Sequence, residues 1–164
     1  MAKTGTNPID GKAATTKKTF SRTTSASIGI NAHPGIIWAL LTNASDFPRW
    51  NSTVTSIEGR IAPGETIRLK SILDEKRVFK LRVTDMTPEK AMTWQDGMAP
   101  FFKGVRQYQL TAGQGGQTRF VMTERIGGLM FPMAAKHIPD FNPVFEQFAN
   151  DLKKEAETIQ KAKN

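Results

Sequence analysis

A chain of 164 residues with 38% hydrophobic residues is long enough to bury the core of one domain. It has no cysteine, which excludes disulfides and thiolate metal sites, and its two histidines are distant in sequence, so we predict neither a metal site nor a cofactor. About half of the net charge of +8 lies in residues 1–22, and no RRM, KH or zinc-finger motif accompanies it, so we predict no specific nucleic-acid partner.

The sequence contains no segment long enough to cross a membrane. Its longest apolar run, residues 36–41, is too short to span a bilayer, and no signal-peptide core follows the N-terminus. We therefore predict a cytoplasmic protein with no transmembrane segment. The composition leaves the oligomeric state open.

The chain is predicted to begin with a disordered basic tail over residues 1–18, because lysine, threonine, alanine and glycine occur there without apolar periodicity. Residues 19–164 are predicted to form a single domain. Its first element is a strand over residues 19–32. A short helix over residues 33–41 follows, and then a second short helix or turn over residues 44–50.

Six further strands are predicted in the middle of the chain, because alternating residues are separated by short turn segments. They cover residues 54–59, 66–73, 77–86, 91–96, 102–111 and 118–127. None of the gaps between these six is long enough for a crossover helix, so consecutive strands should pair in antiparallel fashion. One face of the resulting sheet is apolar and the other is charged.

The last segment, residues 139–161, is predicted to form the one long helix. Phe141, Phe145, Phe148 and Leu152 recur at the spacing of a single helical stripe. A stripe of bulky side chains has to be buried, and the apolar face of the sheet is the available partner. The pattern therefore indicates an α+β fold in which a sheet covers one long helix.

Two short motifs link the chain to a known family. The segments IIWALLTN at residues 36–43 and DFPRWN at residues 46–51 resemble the opening of the START/Bet v 1-like (SRPBCC) superfamily, especially its polyketide cyclase/dehydrase branch. The strand at 118–127, followed by a proline-containing segment and a long helix, is similar to the ending of that family. The resemblance covers about residues 20–161.

The resemblance implies a helix-grip fold: a seven-stranded curved antiparallel sheet around a long C-terminal helix, with two short helices after strand 1 and a cavity between sheet and helix. It does not imply one function. Members of the superfamily include lipid carriers, hormone receptors, quinone-binding proteins and aromatase/cyclases.

A charged pair is predicted on the apolar face of the sheet. Glu124 shares its strand face with apolar residues and needs a partner, because an unpaired buried carboxylate costs several kcal/mol. If the strands at 102–111 and 118–127 form a hairpin, Arg106 falls opposite Glu124 and Tyr108 lies on the same face. Arg106, Tyr108 and Glu124 are the candidate catalytic residues. The alternative is a structural ion pair at the end of a strand.

The inward-facing side chains supply the candidate cavity wall. The candidate ligand-contacting residues are Leu69, Phe79, Leu81, Val83, Trp94, Arg106, Tyr108, Met122, Glu124, Phe141 and Phe145. Phe148 and Leu152 are better core candidates, and His137 is expected at the surface.

Three functions remain open. The first is binding of a hydrophobic small molecule, such as a lipid, isoprenoid or polyketide-like ring, in the cavity. The second is a cyclase or dehydratase that uses the polar cavity residues for acid–base chemistry. The third is a protein-interaction module, which an apolar patch on the outer sheet face would favour.

Overall fold

The structure, a computed structural model, describes residues 9–164. The strands are β1 (Ala13–Lys18), β2 (Ser21–Ile30), β3 (Val54–Glu58), β4 (Thr66–Ser71), β5 (Asp74–Thr87), β6 (Ala91–Met98), β7 (Phe102–Ala112) and β8 (Thr118–Gly127). They form one antiparallel sheet in the order β1-β2-β8-β7-β6-β5-β4-β3.

Four α-helices accompany the sheet within residues 9–164. They are α1 (Pro34–Thr42), α2 (Phe47–Trp50), α3 (Phe131–Ala134) and α4 (Asn142–Lys163). The predicted α+β helix-grip architecture is confirmed, with the two short helices after the strand that was expected to be first. None of the helices in residues 9–164 is long and apolar enough to cross a membrane.

The sheet has eight strands, and the predicted count of seven was wrong. The extra strand is β1, which lies within the segment that was expected to be disordered and pairs along β2. Thr15 Oγ1 donates a hydrogen bond of 2.6 Å to Asn142 Oδ1, and the Ala13 N–H donates to Glu146 Oε1, so α4 also holds the strand. Because β1 is held by polar hydrogen bonds, its sequence shows no alternation of apolar side chains from which a strand could be predicted. The part of the predicted tail in residues 1–8 lies outside the described residues.

The long helix begins three residues later than predicted. Asp140 Oδ1 accepts a hydrogen bond from the Asn142 N–H just before the first turn, and Pro143 occupies that turn, where its missing N–H is tolerated. The buried residues of α4 are Phe145, Phe148, Ala149, Leu152 and Ala156. Their spacing places one stripe of the helix against the concave face of the sheet.

Aromatic rings fill one half of the space between α4 and the sheet. The ring of Phe148 lies 5.8 Å from that of Tyr108, 6.3 Å from that of Phe120 and 6.0 Å from that of Phe47. The rings of Trp94 and Tyr108 meet edge to face at 5.0 Å. This packing closes the half of the sheet nearest α1 and α2, so a cavity has to lie towards the other end.

Candidate functional site: a cavity between the sheet and the long helix

The predicted pairing of Arg106 with Glu124 is present. The two residues are direct partners in the β7–β8 ladder, and Arg106 Nη2 lies 3.1 Å from Glu124 Oε2. Only 14% and 15% of the two side chains is exposed. The guanidinium also lies over the ring of Phe145, 5.2 Å from its centre. The pair therefore faces α4 rather than bulk water.

The local charges hold Arg106 in its ionised form. Burial is the largest single influence on the pKa of Arg106 and would lower it, but the Glu124 carboxylate and Tyr108 together outweigh burial and raise that pKa above the usual value. The wall of the site thus contains a permanent cation and its counter-ion.

A cavity of about 160 Å³ lies beside this pair, between the sheet and α4. Nine of the predicted ligand-contacting residues line it: Leu69, Phe79, Leu81, Trp94, Arg106, Met122, Glu124, Phe141 and Phe145. Most of the lining is hydrocarbon, and the charged residues on the wall are Asp74, Arg77, Asp96, Arg106 and Glu124. This combination is typical of a small-molecule site.

Val83 and Tyr108 do not line this cavity. Both are almost fully buried on the inner face, but each lies two residues further from the cavity end of its strand than a residue that does line it, Leu81 and Arg106 respectively. At that depth Tyr108 packs between aromatic rings. Burial raises the pKa of Tyr108 to about 12, against the attraction of the Arg106 charge, so its hydroxyl stays protonated.

Asp96 is a cavity residue that the sequence analysis missed. It follows Trp94 by two positions on β6, so the alternation that selected Trp94 also pointed to Asp96. Its Cα partner on β7 is Gly104, where a Cβ would lie 2.6 Å from Asp96 Oδ1; the glycine makes room for the carboxylate. Burial, reinforced by Glu124, raises the pKa of Asp96, while Arg77, the Gly104 N–H and Arg106 partly oppose the rise.

Two other lining residues were not among the predicted cavity residues. Phe148, which was the better core candidate, packs in the core and also borders the cavity. His137 is exposed, as expected, and with Ile138 and Pro139 it borders the cavity from the segment between β8 and α4. These residues form the rim, because their segment crosses the end of the sheet.

Several hydrogen-bond donors at the site have no partner among the described residues. They are Trp94 Nε1, Arg106 Nε and Tyr108 Oη, all inaccessible to solvent. The three residues are neighbours, since Trp94 pairs with Arg106 across β6 and β7 and contacts the ring of Tyr108. Trp94 Nε1 and Arg106 Nε can only donate, whereas the Tyr108 hydroxyl can also accept, so an acceptor oxygen beside Trp94 and Arg106 would complement the cluster. No group of three or more potential metal ligands occurs in residues 9–164.

The architecture and the cavity define a helix-grip protein, and comparison with known proteins places it in a family. Residues 21–157 match the family described as polyketide cyclase / dehydrase and lipid transport, so the chain belongs to that family, which confirms the resemblance seen in the sequence. No curated protein matches the chain.

Solved structures share the fold at low sequence identity. A conserved Enterococcus faecalis protein of unknown function is 20% identical, with a TM-score of 0.64 over 90% of this chain and 78% of that one. A START superfamily protein from Mycobacterium smegmatis is 14% identical, with a TM-score of 0.61 over 84% and 98% of the two chains. A norcoclaurine synthase from Thalictrum flavum, bound to a transition-state analogue, is 11% identical, with a TM-score of 0.66 over 88% and 99%.

Proposed function

We propose that this protein binds a small, largely apolar compound that carries an acceptor oxygen, in the cavity between the sheet and α4. The observation that carries the proposal is a largely apolar cavity whose wall contains the paired cation Arg106 next to unsatisfied donors. The family's description, which includes both cyclases and lipid transport, supports a hydrophobic ligand.

The volume limits the size of the ligand. A cavity of about 150 Å³ is known to accept benzene, and the cavity here has about 160 Å³. The space therefore suits one ring with a short substituent. A longer chain or a fused ring system needs the rim segment around Ile138 to move outward.

The polar wall sets the orientation of the ligand. Trp94 Nε1 and Arg106 Nε can only donate hydrogen bonds, and Arg106 is cationic. A carbonyl, phenolate or carboxylate oxygen directed at Trp94 and Arg106 would satisfy them, and the ring would then lie against Phe141 and Phe145. A pure hydrocarbon would leave these donors unsatisfied and should bind more weakly.

The first test is native mass spectrometry of the purified protein, followed by titration with single-ring phenols and aromatic acids. Val144 lines the cavity at a half-buried position, so Val144→Trp should fill the space and weaken binding at least tenfold. Val121→Trp is the matched control, since Val121 is also half-buried but alternates with the inner residues Phe120 and Met122. Equal affinity in both variants, or no ligand at all, would contradict the proposal.

A second candidate is a cyclase or dehydratase in the same cavity. Asp96 favours it, because it lies on the cavity wall and burial raises the pKa of its carboxyl group, which makes it a better proton donor than an exposed aspartate, and Arg106 can stabilise an enolate. In this assignment Asp96 donates the proton, and Tyr108, one of the candidate catalytic residues, has no direct role because it lies behind the cavity wall.

Binding and catalysis are distinguished by measuring whether the bound compound changes chemically with time. For a catalyst, the bound compound changes mass or absorbance with time, and Asp96→Asn abolishes the change while the ligand still binds. For a carrier, the recovered compound is identical to the one added, in the wild type and in Asp96→Asn alike.

A further inference from the structure

Exposed hydrophobic side chains are concentrated at one end of the molecule. Nine large ones are strongly exposed in residues 9–164, and one of them, Ile9, lies apart, close to Gly11 and the distal part of β2. The other eight lie at the end of the sheet where β2 begins and β8 ends: Phe20, Ile72, Val78, Met98, Phe101, Leu129, Met130 and Met133. We call these eight residues the apolar end.

Backbone hydrogen bonds hold three segments of the apolar end together. The Leu129 N–H donates to the Pro100 oxygen at 2.9 Å, and the Met130 N–H donates to the Phe101 oxygen at 2.9 Å. The Gly128 N–H donates to the Phe20 oxygen at 3.0 Å. The β1–β2 turn, the β6–β7 turn and the segment after β8, which carry exposed apolar side chains, therefore lie side by side.

Basic side chains flank this surface. Lys17 and Lys18 border a groove that Phe131 and Pro132 line from the other side. Lys136 is also exposed and lies in the single turn of 3-10 helix, Ala135–His137, that follows α3. Asp140 is the one acidic residue that borders the groove, while Asp74 and Glu75 lie at the β4–β5 turn. Lysines next to exposed methionine, leucine and phenylalanine are typical of surfaces that contact anionic lipid.

The apolar end is also the open end of the cavity. Ile138 borders both the cavity and the lysine-lined groove, and its neighbours His137 and Pro139 complete the rim. A hydrophobic compound that enters or leaves the cavity through this rim would pass beside the exposed apolar side chains.

We propose that the apolar end docks on an anionic lipid surface, with its hydrophobic side chains in the acyl–headgroup boundary and Lys17, Lys18 and Lys136 on the headgroups. The lipid occupant is favoured over a second copy of the chain because two copies joined through this end would bring the same lysines face to face. Six of the eight exposed side chains project from turns and a short helix, and the other two, Val78 and Met98, from β5 and β6; the turns and the helix suit shallow insertion into an interface.

The test is co-sedimentation of the whole protein with vesicles of phosphatidylcholine alone or with 30% phosphatidylserine, at about 0.15 M salt. We expect binding to the anionic vesicles only. Leu129→Ser combined with Met133→Ser should reduce binding at least tenfold, whereas Ile9→Ser, which removes an even more exposed residue, should leave it unchanged.

A charge-reversal pair tests the basic side chains. Lys17→Glu with Lys18→Glu should reduce binding by roughly fivefold or more per residue. Lys161→Glu with Lys163→Glu makes the same change in net charge at the C-terminal end of α4 and should have little effect. Titration with the cavity ligand is expected to be normal in all these variants, so failure of docking and failure of ligand binding are distinguishable.

Several results would overturn the proposal. One is that the wild type stays in the supernatant with anionic vesicles; another is that both members of each variant pair bind alike. A third is a dimer, seen by analytical ultracentrifugation, that Leu129→Ser with Met133→Ser dissociates while vesicle binding is absent. That result would assign the apolar end to a second copy of the chain.

Discussion

Arg106 and Glu124 face each other across β7 and β8 with 3.1 Å between Nη2 and Oε2, on the buried side of the sheet. A buried pair of this kind is costly to break, because the remaining partner keeps its charge without compensation. Arg106→Met and Glu124→Met should each lower the free energy of unfolding by roughly 3 kcal/mol in urea denaturation.

A double variant tests whether the contributions of Arg106 and Glu124 to stability are coupled. Arg106→Met combined with Glu124→Met should lose much less than the sum of the single changes, because no charge is left unpaired. The control is the exposed pair of Arg60 and Glu65, whose side chains are 79% and 48% exposed. Glu65→Gln should have almost no effect on stability. Strict additivity at Arg106 and Glu124 would contradict the coupling.

Asp96 and Asp46 should respond to pH with opposite sign. Burial raises the pKa of Asp96 in the folded protein, so its protonation favours folding at low pH and this contribution is lost as pH rises through the folded pKa. Asp96→Asn should therefore increase stability relative to wild type more at pH 7 than at pH 4.

The hydrogen bond from Arg49 lowers the pKa of Asp46, so the contribution of Asp46 is present above its unfolded pKa and is lost as pH falls. Asp46→Asn should be less stable than wild type at pH 7, and the difference should disappear in acid. Urea denaturation at several pH values measures both residues. The same pH trend in the two variants would show that the assignment is wrong.

Phe148 should contribute more to stability than Phe141, although both border the cavity. Phe148 is almost fully buried and contacts four aromatic rings, so Phe148→Ala should lower stability by about 4 kcal/mol. Phe141 lies at the start of α4, beside the rim, so Phe141→Ala should destabilise less and act mainly on ligand affinity. Calorimetric unfolding together with ligand titration distinguishes the two effects.

Gly97 and Gly115 test the geometry of the turns. Both have positive φ, at +80° and +68°, which disfavours any residue with a Cβ. A Cβ at Gly97 would also collide with the Phe102 carbonyl oxygen, whereas nothing lies within 4 Å of one at Gly115. We expect Gly115→Ala to lower stability by about 1 kcal/mol and Gly97→Ala by about 3 kcal/mol or more. Equal melting temperatures would contradict the close approach at Gly97.

Thr15 tests whether β1 is part of the folded protein. Its hydroxyl bonds to Asn142 and lies 2.9 Å from the Thr24 hydroxyl, so Thr15→Val should lower stability by about 1 kcal/mol. Thr16→Val is the control, since Thr16 is exposed and alternates to the other face. If the segment were disordered, neither substitution would change the stability of the protein.

Local patterns were sufficient for much of the fold and for the charged pair. Alternation in β7 and β8 placed Arg106, Tyr108 and Glu124 on the inner face, and the short loop between these strands determined their register. The same reasoning failed at β1, because polar bonds from Thr15 and Ala13 hold that strand and such bonds leave no apolar period in the sequence.

The sequence by itself determined which face of each strand is buried and which stripe of α4 covers it, since side-chain direction follows from the helix and strand periods. Only the tertiary structure decided how far along each strand the cavity extends. Trp94 and Arg106 line it while Tyr108, on the same face, does not, because aromatic packing around Phe148 closes one half of the space. Where the sheet and the helix separate depends on sheet curvature and on the fit of side chains from distant segments. Neither property can be read from the periodicity of residues within one helix or strand.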